Sequence, residues 1–316
     1  MRTVIIVLVL LISGGILYAF FQFFSPLSMP TGGNMQTEYA PSDESRQRVS
    51  LPFSDGITSN TFEYDSNTRN YLLKAPSELL EPATLIVVIH GYGGNARSMI
   101  TSGLEQMVDE EGILLVAPEG LQSSWNAYIC CGWAQKEGID DTGFIAALIN
   151  ELTAEYELDR VFVTGFSNGG MMSFHTAAEY PELATAIAPV AGSIGGSSPS
   201  VPDLVVPQTS VDTTINIPAY IIHGTGDNIV PYDGSISPID SIRFTSAPDS
   251  AQWWAEQNGC SIHRGRNGVE SSKEASDTIH TFECPDGAEV LLHTIPDGSH
   301  TWSNTQDIWN FFSEYR

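Results

Sequence analysis

The chain has 316 residues, 42% of them hydrophobic, enough for one large α/β domain with a sizeable core. Basic residues number 13 against 38 acidic ones, a net charge of −25, with lysine only at Lys74, Lys136 and Lys273. This balance argues against nucleic acid and anionic membrane surfaces as partners, because both need a positive face.

The chain opens with Met1-Arg2 and then an uncharged run, Thr3 to Phe24. At ~1.5 Å per residue that run spans roughly 33 Å, about the hydrocarbon thickness of a bilayer. Leu17-Tyr18-Ala19 is a poor cleavage site, since a small residue is wanted where Leu17 stands. Residues 1–24 therefore read as an uncleaved signal anchor, with a cleaved signal peptide as the other reading. Either way Arg2 keeps the N-terminus inside and places the remainder outside the cytoplasm. Residues 25–48 are rich in Ser, Pro, Thr, Gly and Asn without a hydrophobic period, and read as a flexible tether. The expected domain covers residues 49–316, and the membrane is a partner only through the N-terminal segment.

From there strand and helix patterns alternate, which implies an α/β fold with a mainly parallel sheet and helices on both faces. Tyr71-Leu72-Leu73, Thr84 to Ile89, Ile113 to Ala117, Val161 to Thr164, Ala186 to Val190, Ala219 to Ile222 and Glu289 to Ile295 are the expected strands. Continuous apolar runs such as Thr84 to Ile89 suit strands covered on both faces. Asp141 to Tyr156, Gly169 to Tyr180, Ser250 to Gln257 and Thr305 to Tyr315 are the expected helices. Ser193 to Asn216 and Asp233 to Asp249 interrupt the rhythm. Both leave strand carboxyl ends, where open α/β sheets bind ligands, so they read either as walls of a cleft or as surface loops.

Between the strand Val161 to Thr164 and the next helix lies Gly165-Phe166-Ser167-Asn168-Gly169. Strand, G-x-S-x-G and helix in this order are the nucleophile elbow of an α/β-hydrolase. A serine hydroxyl needs a base to take its proton and an acid to orient that base, in the chain order Ser, Asp, His. His300, in the loop Pro296 to Trp302 just after the last strand, is the expected base. His293 lies inside that strand, and His263 and His280 lie between Cys260 and Cys284. Asp227, in His223-Gly224-Thr225-Gly226-Asp227 at the end of the strand Ala219 to Ile222, is the expected acid, ahead of Asp233 and Asp297. Two backbone N–H groups should form the oxyanion hole. One is that of Asn168, after the nucleophile. The other comes from His90-Gly91-Tyr92-Gly93-Gly94, with Tyr92 the first choice and Gly91 the second. Trp125, Tyr128, Trp133 and Trp302 are candidates to line an aromatic or sugar-binding cleft.

Cys260 and Cys284 flank a polar segment and could close a disulfide outside the cytoplasm, while Cys130 and Cys131 are adjacent. Four cysteines allow three complete pairings, and all remain open. No C-x-x-C or suitably spaced histidines suggest zinc, and no metal is expected.

Together the elbow, the His90-Gly91 loop, the acid turn and the histidine loop resemble the polyhydroxybutyrate depolymerase, feruloyl esterase and acetylxylan esterase group of α/β-hydrolases. Three further stretches carry the resemblance: Trp125 to Trp133 with Cys130-Cys131-Gly132, the helix start Asp140-Asp141-Thr142-Gly143-Phe144, and Gly165 to Met172. It covers about Arg69 to Arg316. It implies a secreted serine esterase without metal or organic cofactor, with Ser167, Asp227 and His300 as triad. The ester substrate stays open between feruloyl or acetyl polysaccharide and hydroxyalkanoate oligomers. No separate carbohydrate- or polymer-binding domain is recognisable, which favours soluble esters over an insoluble polymer. A serine peptidase of the same fold and a non-catalytic surface-binding protein are the competing readings.

Overall fold

The computed structural model describes residues 47–50, 56–207, 209, 215–239, 241–261 and 277–316. The expected anchor lies outside these residues, as do most of the expected tether and His263. No helix among the described residues is long and apolar enough to cross a membrane. In chain order the elements are β1 (Gln47–Ser50), β2 (Ile57–Tyr64), β3 (Asn67–Lys74), β4 (Glu78–Glu81), β5 (Ala83–Ile89), α1 (Ala96–Ile100), α2 (Glu105–Glu111), β6 (Leu114–Pro118), α3 (Gly132–Glu137), α4 (Asp141–Tyr156) and β7 (Leu158–Phe166). They continue with α5 (Asn168–Glu179), β8 (Ala186–Val190), β9 (Gly196–Ser197), β10 (Ala219–Gly224), β11 (Arg243–Phe244), α6 (Ala247–Gln257), β12 (Thr278–Phe282), β13 (Val290–Ile295) and α7 (Thr305–Ser313).

The main sheet among the described residues has the order β12-β13-β10-β8-β7-β5-β6-β3-β2. Strands β13, β10, β8, β7, β5 and β6 are parallel, and β12, β3 and β2 are antiparallel to their neighbours. The continuous apolar character of the central strands has a direct cause. In β5, Leu85, Val87 and Ile89 point into one core with Phe144, Leu148, Met172, Phe174 and Trp254 of α4, α5 and α6. Its alternate residues, Ile86 and Val88, point into a second core with Ile100, Val108, Ile308 and Phe312 of α1, α2 and α7. Both faces are dry, so neither parity of the strand carries a polar pattern.

Strand β12 was not expected. It sits at the sheet edge with an almost wholly exposed pattern, so it shows no run of buried residues to read. Strand β2 was missed for the same reason. Helix α6 starts three residues ahead of the expected Ser250. Ser246 caps it, with Oγ accepting the Asp249 N–H at 3.0 Å and donating to Asp249 Oδ2 at 2.7 Å, and Pro248 occupies its first turn.

The two interrupting segments are joined to each other. Strand β9 of the first pairs antiparallel with β11 of the second, Gly196 opposite Phe244 and Ser197 opposite Arg243. The Thr245 N–H donates to Gly195 O at 2.9 Å, and Ser193 Oγ bonds Thr245 O at 2.9 Å. Both leave carboxyl ends of parallel strands, β8 and β10, so they stand together on the edge of the sheet that carries the elbow.

Candidate active site

Four loops converge at the carboxyl ends of β5, β7, β10 and β13. Ser167 stands at the tip of the turn between β7 and α5 with φ 56° and ψ −117°. Non-glycine residues avoid this region, and holding one there costs about 1–3 kcal/mol. The strain is held by the Ser167 N–H, which donates to Val190 O at 2.8 Å, and by the Met171 N–H, which donates to Ser167 O at 2.9 Å. The flanking glycines are required by space. A Cβ on Gly165 would run into the Gly169 carbonyl, and one on Gly169 into the Ile89 carbonyl.

His300 lies in the loop after β13, with its ring packed on Phe166 at 4.8 Å between centroids. Its Nε2 is 2.9 Å from Ser167 Oγ, and its Nδ1 is 2.6 Å from Asp227 Oδ2. A carboxylate only accepts, so Nδ1 carries the proton and Nε2 faces the serine as acceptor. The acid and histidine loops are laced together. The Thr225 N–H donates to Ile295 O at 2.9 Å, the Gly226 N–H to Gly298 O at 2.9 Å, and Thr225 Oγ1 accepts the Asp297 N–H at 2.9 Å.

Asp227 is buried. Its Oδ1 accepts the N–H groups of Ile229 at 2.8 Å and Val230 at 2.9 Å. Oδ2 also lies 3.3 Å from His223 Nε2, which donates to Val230 O at 2.8 Å. Burial alone pushes the carboxyl group up. The hydrogen bonds from His223 and His300 outweigh it and hold Asp227 well below the usual carboxylate range. His223 was legible in the sequence only as part of the turn. The signal that could have marked it is its place four residues before the acid.

The loop after β5 backs onto the elbow. A Cβ on Gly91 would stand 3.3 Å from Ser167 Cβ and 3.2 Å from the Phe166 carbonyl. Neither the Tyr92 N–H nor the Asn168 N–H donates to another group among the described residues. Asn168 is the first residue of α5, where an N–H has no partner within the helix.

The expected aromatic lining is corrected in part. Trp125 is fully buried, so its ring offers no surface to a substrate. Its Nε1 donates to His90 O at 2.9 Å. Its backbone N–H donates to Asn168 Oδ1 at 2.9 Å, and its carbonyl accepts from Asn168 Nδ2 at 3.2 Å. Trp302 is half-buried, with Nε1 donating to Ser102 O at 3.1 Å. Tyr128 is half-buried and donates to Glu179. Trp133 is exposed, as is Tyr92, whose ring lies over Gly132.

Of the other histidines considered, His280 is exposed on β12. His293 is buried between Tyr220 Oη at 2.7 Å and Asp277 Oδ2 at 3.3 Å. Asp233 is exposed and accepts the Ser235 N–H, and Asp297 sits in the turn after β13. The sulfur atoms of Cys130 and Cys131 lie against each other, as do those of Cys260 and Cys284. Among the described residues no group of three or more His, Cys, Asp or Glu side chains is placed to hold a metal ion.

A mainly parallel sheet covered on both faces, with a strained serine in a glycine-flanked turn after a central strand, defines the α/β-hydrolase fold. The phospholipase/carboxylesterase family model matches residues 134–237. The putative esterase NocK of Nocardia uniformis subsp. tsuyamanensis is 31% identical over 253 residues, covering 74% of this chain and 71% of that protein. Feruloyl esterase B of Piromyces equi is 27% identical over 78% of this chain, which spans only 45% of that protein. The structure of acetyl xylan esterase from Aspergillus awamori superposes with a TM-score of 0.56 at 16% identity, covering 86% of this chain and all of that one, a likeness of fold. The chain belongs to this esterase family of the α/β-hydrolases, and it is a carboxylic ester hydrolase.

Proposed function

We propose that the chain is an extracytoplasmic serine esterase in which Ser167, His300 and Asp227 form the catalytic triad. The observation that carries this reading is the hydrogen-bonded line from Ser167 Oγ through His300 to Asp227, at 2.9 and 2.6 Å. Ser167 Oγ attacks the ester carbonyl while His300 Nε2 takes its proton. Asp227 holds the Nδ1–H tautomer and stabilises the imidazolium. The carbonyl oxygen becomes an oxyanion held by the N–H groups of Tyr92 and Asn168. One such donor is worth about 3 kcal/mol to the transition state. His300 then protonates the leaving alcohol, and water activated by the same imidazole releases the acid from the acyl-enzyme.

The names of the relatives support feruloyl or acetyl esters on polysaccharide as the substrate class, and hydroxyalkanoate oligomers enter only through the motif resemblance. The exposed rings of Tyr92 and Trp133 support a planar or sugar-bearing substrate at the mouth of the site. The apolar run at residues 3–24 and the polar segment at 25–48, read as anchor and tether, support a location of residues 49–316 outside the cytoplasm. There the cysteines pair as Cys130–Cys131 and Cys260–Cys284.

The test is hydrolysis of p-nitrophenyl acetate, methyl ferulate, acetylated xylan and a hydroxybutyrate oligomer by the full-length protein beside Ser167→Ala. Turnover of at least one ester, abolished in the variant, is the expected result and ranks the substrates. Turnover that survives Ser167→Ala would remove the serine mechanism.

A further inference from the structure

We propose that His90 is a positioning residue for the oxyanion hole: through the Gly91 carbonyl it sets the direction of the Tyr92 N–H. The inference rests on the reading of that N–H as an oxyanion donor.

The argument begins with the tautomer. The His90 ring is fully buried, with Nε2 2.9 Å from the backbone nitrogen of Gly120. A backbone amide can only donate, so Nε2 is the acceptor and bears no proton. The other ring nitrogen, Nδ1, is 2.8 Å from Gly91 O. A carbonyl can only accept, so Nδ1 carries the proton and donates. Each neighbour admits one assignment, and the two agree on the neutral Nδ1–H imidazole. Burial lowers the affinity of this ring for a second proton, against the weaker pull of the Gly91 carbonyl and Glu119. A second proton would also turn Nε2 from acceptor to donor and set two donors, Nε2–H and the Gly120 N–H, against each other.

The consequence for the site follows from peptide planarity. Gly91 C=O and Tyr92 N–H belong to one rigid unit. That unit is trans, since the cis peptides are at Glu81-Pro82 and Cys130-Cys131. In a trans unit the oxygen and the N–H point in opposite directions. Gly91 O is held by two donors, His90 Nδ1–H and the Gly94 N–H at 2.9 Å. Holding the oxygen therefore aims the N–H. A Cβ added to Gly91 would stand within 3.3 Å of Phe166 and Ser167, so the loop runs close against the elbow at this unit. The other ring nitrogen ties this loop to Gly120, after β6. The Gly93 N–H reinforces that tie by donating to Ser123 O at 2.8 Å. His90 is thus held at both nitrogens and touches neither the serine nor its base. An electrostatic hole works by having its donors already aimed, so a residue of this kind acts on the transition state more than on substrate binding.

Two substitutions separate the two ring nitrogens. In His90→Asn the side-chain amide can take the place of Nδ1 and still donate to Gly91 O. In His90→Gln it reaches the place of Nε2 and leaves Gly91 O without its side-chain donor. The full-length protein and both variants are compared for kcat and KM on p-nitrophenyl acetate, and for affinity toward an alkyl trifluoromethyl ketone. Addition of a serine to that ketone generates an oxyanion. The expected result for His90→Gln is a loss in kcat on the order of 10²-fold with KM within about twofold, and a parallel loss of ketone affinity. His90→Asn should recover most of both.

Kinetics and ketone affinity of His90→Gln within twofold of the parent overturn the proposal. So do equal losses in both variants that track a fall in thermal stability, since those mark a purely structural residue. Should neither variant fold, nitrogen-15 histidine spectra of the unmodified protein decide instead. A neutral Nδ1–H signal for His90 at neutral pH supports the proposal, and an Nε2–H tautomer or imidazolium removes it. Ser167→Ala run alongside separates the two levels. Turnover surviving in that variant takes down the serine mechanism and this inference together. An inactive Ser167→Ala beside unaffected His90 variants takes down this inference alone.

Discussion

At the scale of single residues, the site places polar groups where burial would otherwise be unfavourable and gives nearly every one a partner. Outside it, His175 is one of the buried side chains among the described residues that lack one. It lies on α5, almost fully buried, with neither ring nitrogen hydrogen-bonded among the described residues and with the Tyr128 ring at 4.7 Å. Burial lowers its pKa from 6.5 to about 3. Between those values the unfolded chain binds the proton and the folded chain does not, so stability falls as pH drops from about 6.5 toward about 3. Below that window the penalty is fully developed, and above it the contribution is intact. His175→Leu should remove this part of the acid slope. Urea unfolding at several pH values would show it as wild-type and variant curves that converge toward neutrality and separate on acidification. Parallel curves across the window would contradict it.

At the scale of elements, the loop between β6 and α3 is held from two sides by buried side chains. Asn168 clamps the Trp125 backbone, and Asp141, at the start of α4, accepts the Asn126 N–H at 2.7 Å. Asp141 is itself paired with Arg69 of β3 at 2.7 Å, both side chains almost wholly buried, and the Arg69 guanidinium lies 3.8 Å from the centroid of the Phe144 ring. A buried pair contributes little net stability when intact, but removing one partner strands the other charge. Asp141→Ala should therefore destabilise the fold by about 3–5 kcal/mol. Replacing both residues by apolar ones of similar size should cost markedly less. Denaturant melts of the single and double variants test this, and equal losses would show that packing rather than charge is what Asp141 supplies. In the sequence the Asp-Asp-x-x-Phe pattern was legible only as a family likeness. Its partner Arg69 lies 72 residues away, and no local period connects the two.

At the scale of the whole molecule, charge is the dominant property. With 38 acidic against 13 basic side chains, most carboxylates have no cation to face. The folded state gathers them onto one surface, and their mutual repulsion opposes compaction. Salt shortens the screening length from about 10 Å at 0.1 M to about 3 Å at 1 M. The melting temperature should accordingly rise between those concentrations of sodium chloride. Exposed ion pairs such as Arg48–Glu78 at 3.8 Å weaken over the same range, but they are too few to reverse the trend. A melting temperature that fell with salt would mean that attraction outweighs repulsion on this surface.

Strands β3, β5, β6, β7, β8, β10 and β13, helices α4 to α7, the elbow and the loops that carry Asp227, His300 and the His90-Gly91 turn were readable along the chain. Their causes are local. A strand buried on both faces has to be apolar at every position, as β5 is. A turn as sharp as that at Ser167 has to be flanked by residues without a Cβ, as it is by Gly165 and Gly169. The exposed strands β2 and β12 escaped the same reading because their sequences carry no such compulsion. What only the tertiary structure decided is which side of each loop meets solvent. Trp125 looked like a cleft residue and is buried, because Asn168, 43 positions away, holds its backbone and His90 accepts from its ring. Likewise, β9 and β11 join two segments that looked independent, and His90 proves to be held at both nitrogens. Partners of this kind are chosen by contact across the fold rather than by spacing along the chain, and a hydrogen bond leaves no period in the sequence from which it could be read.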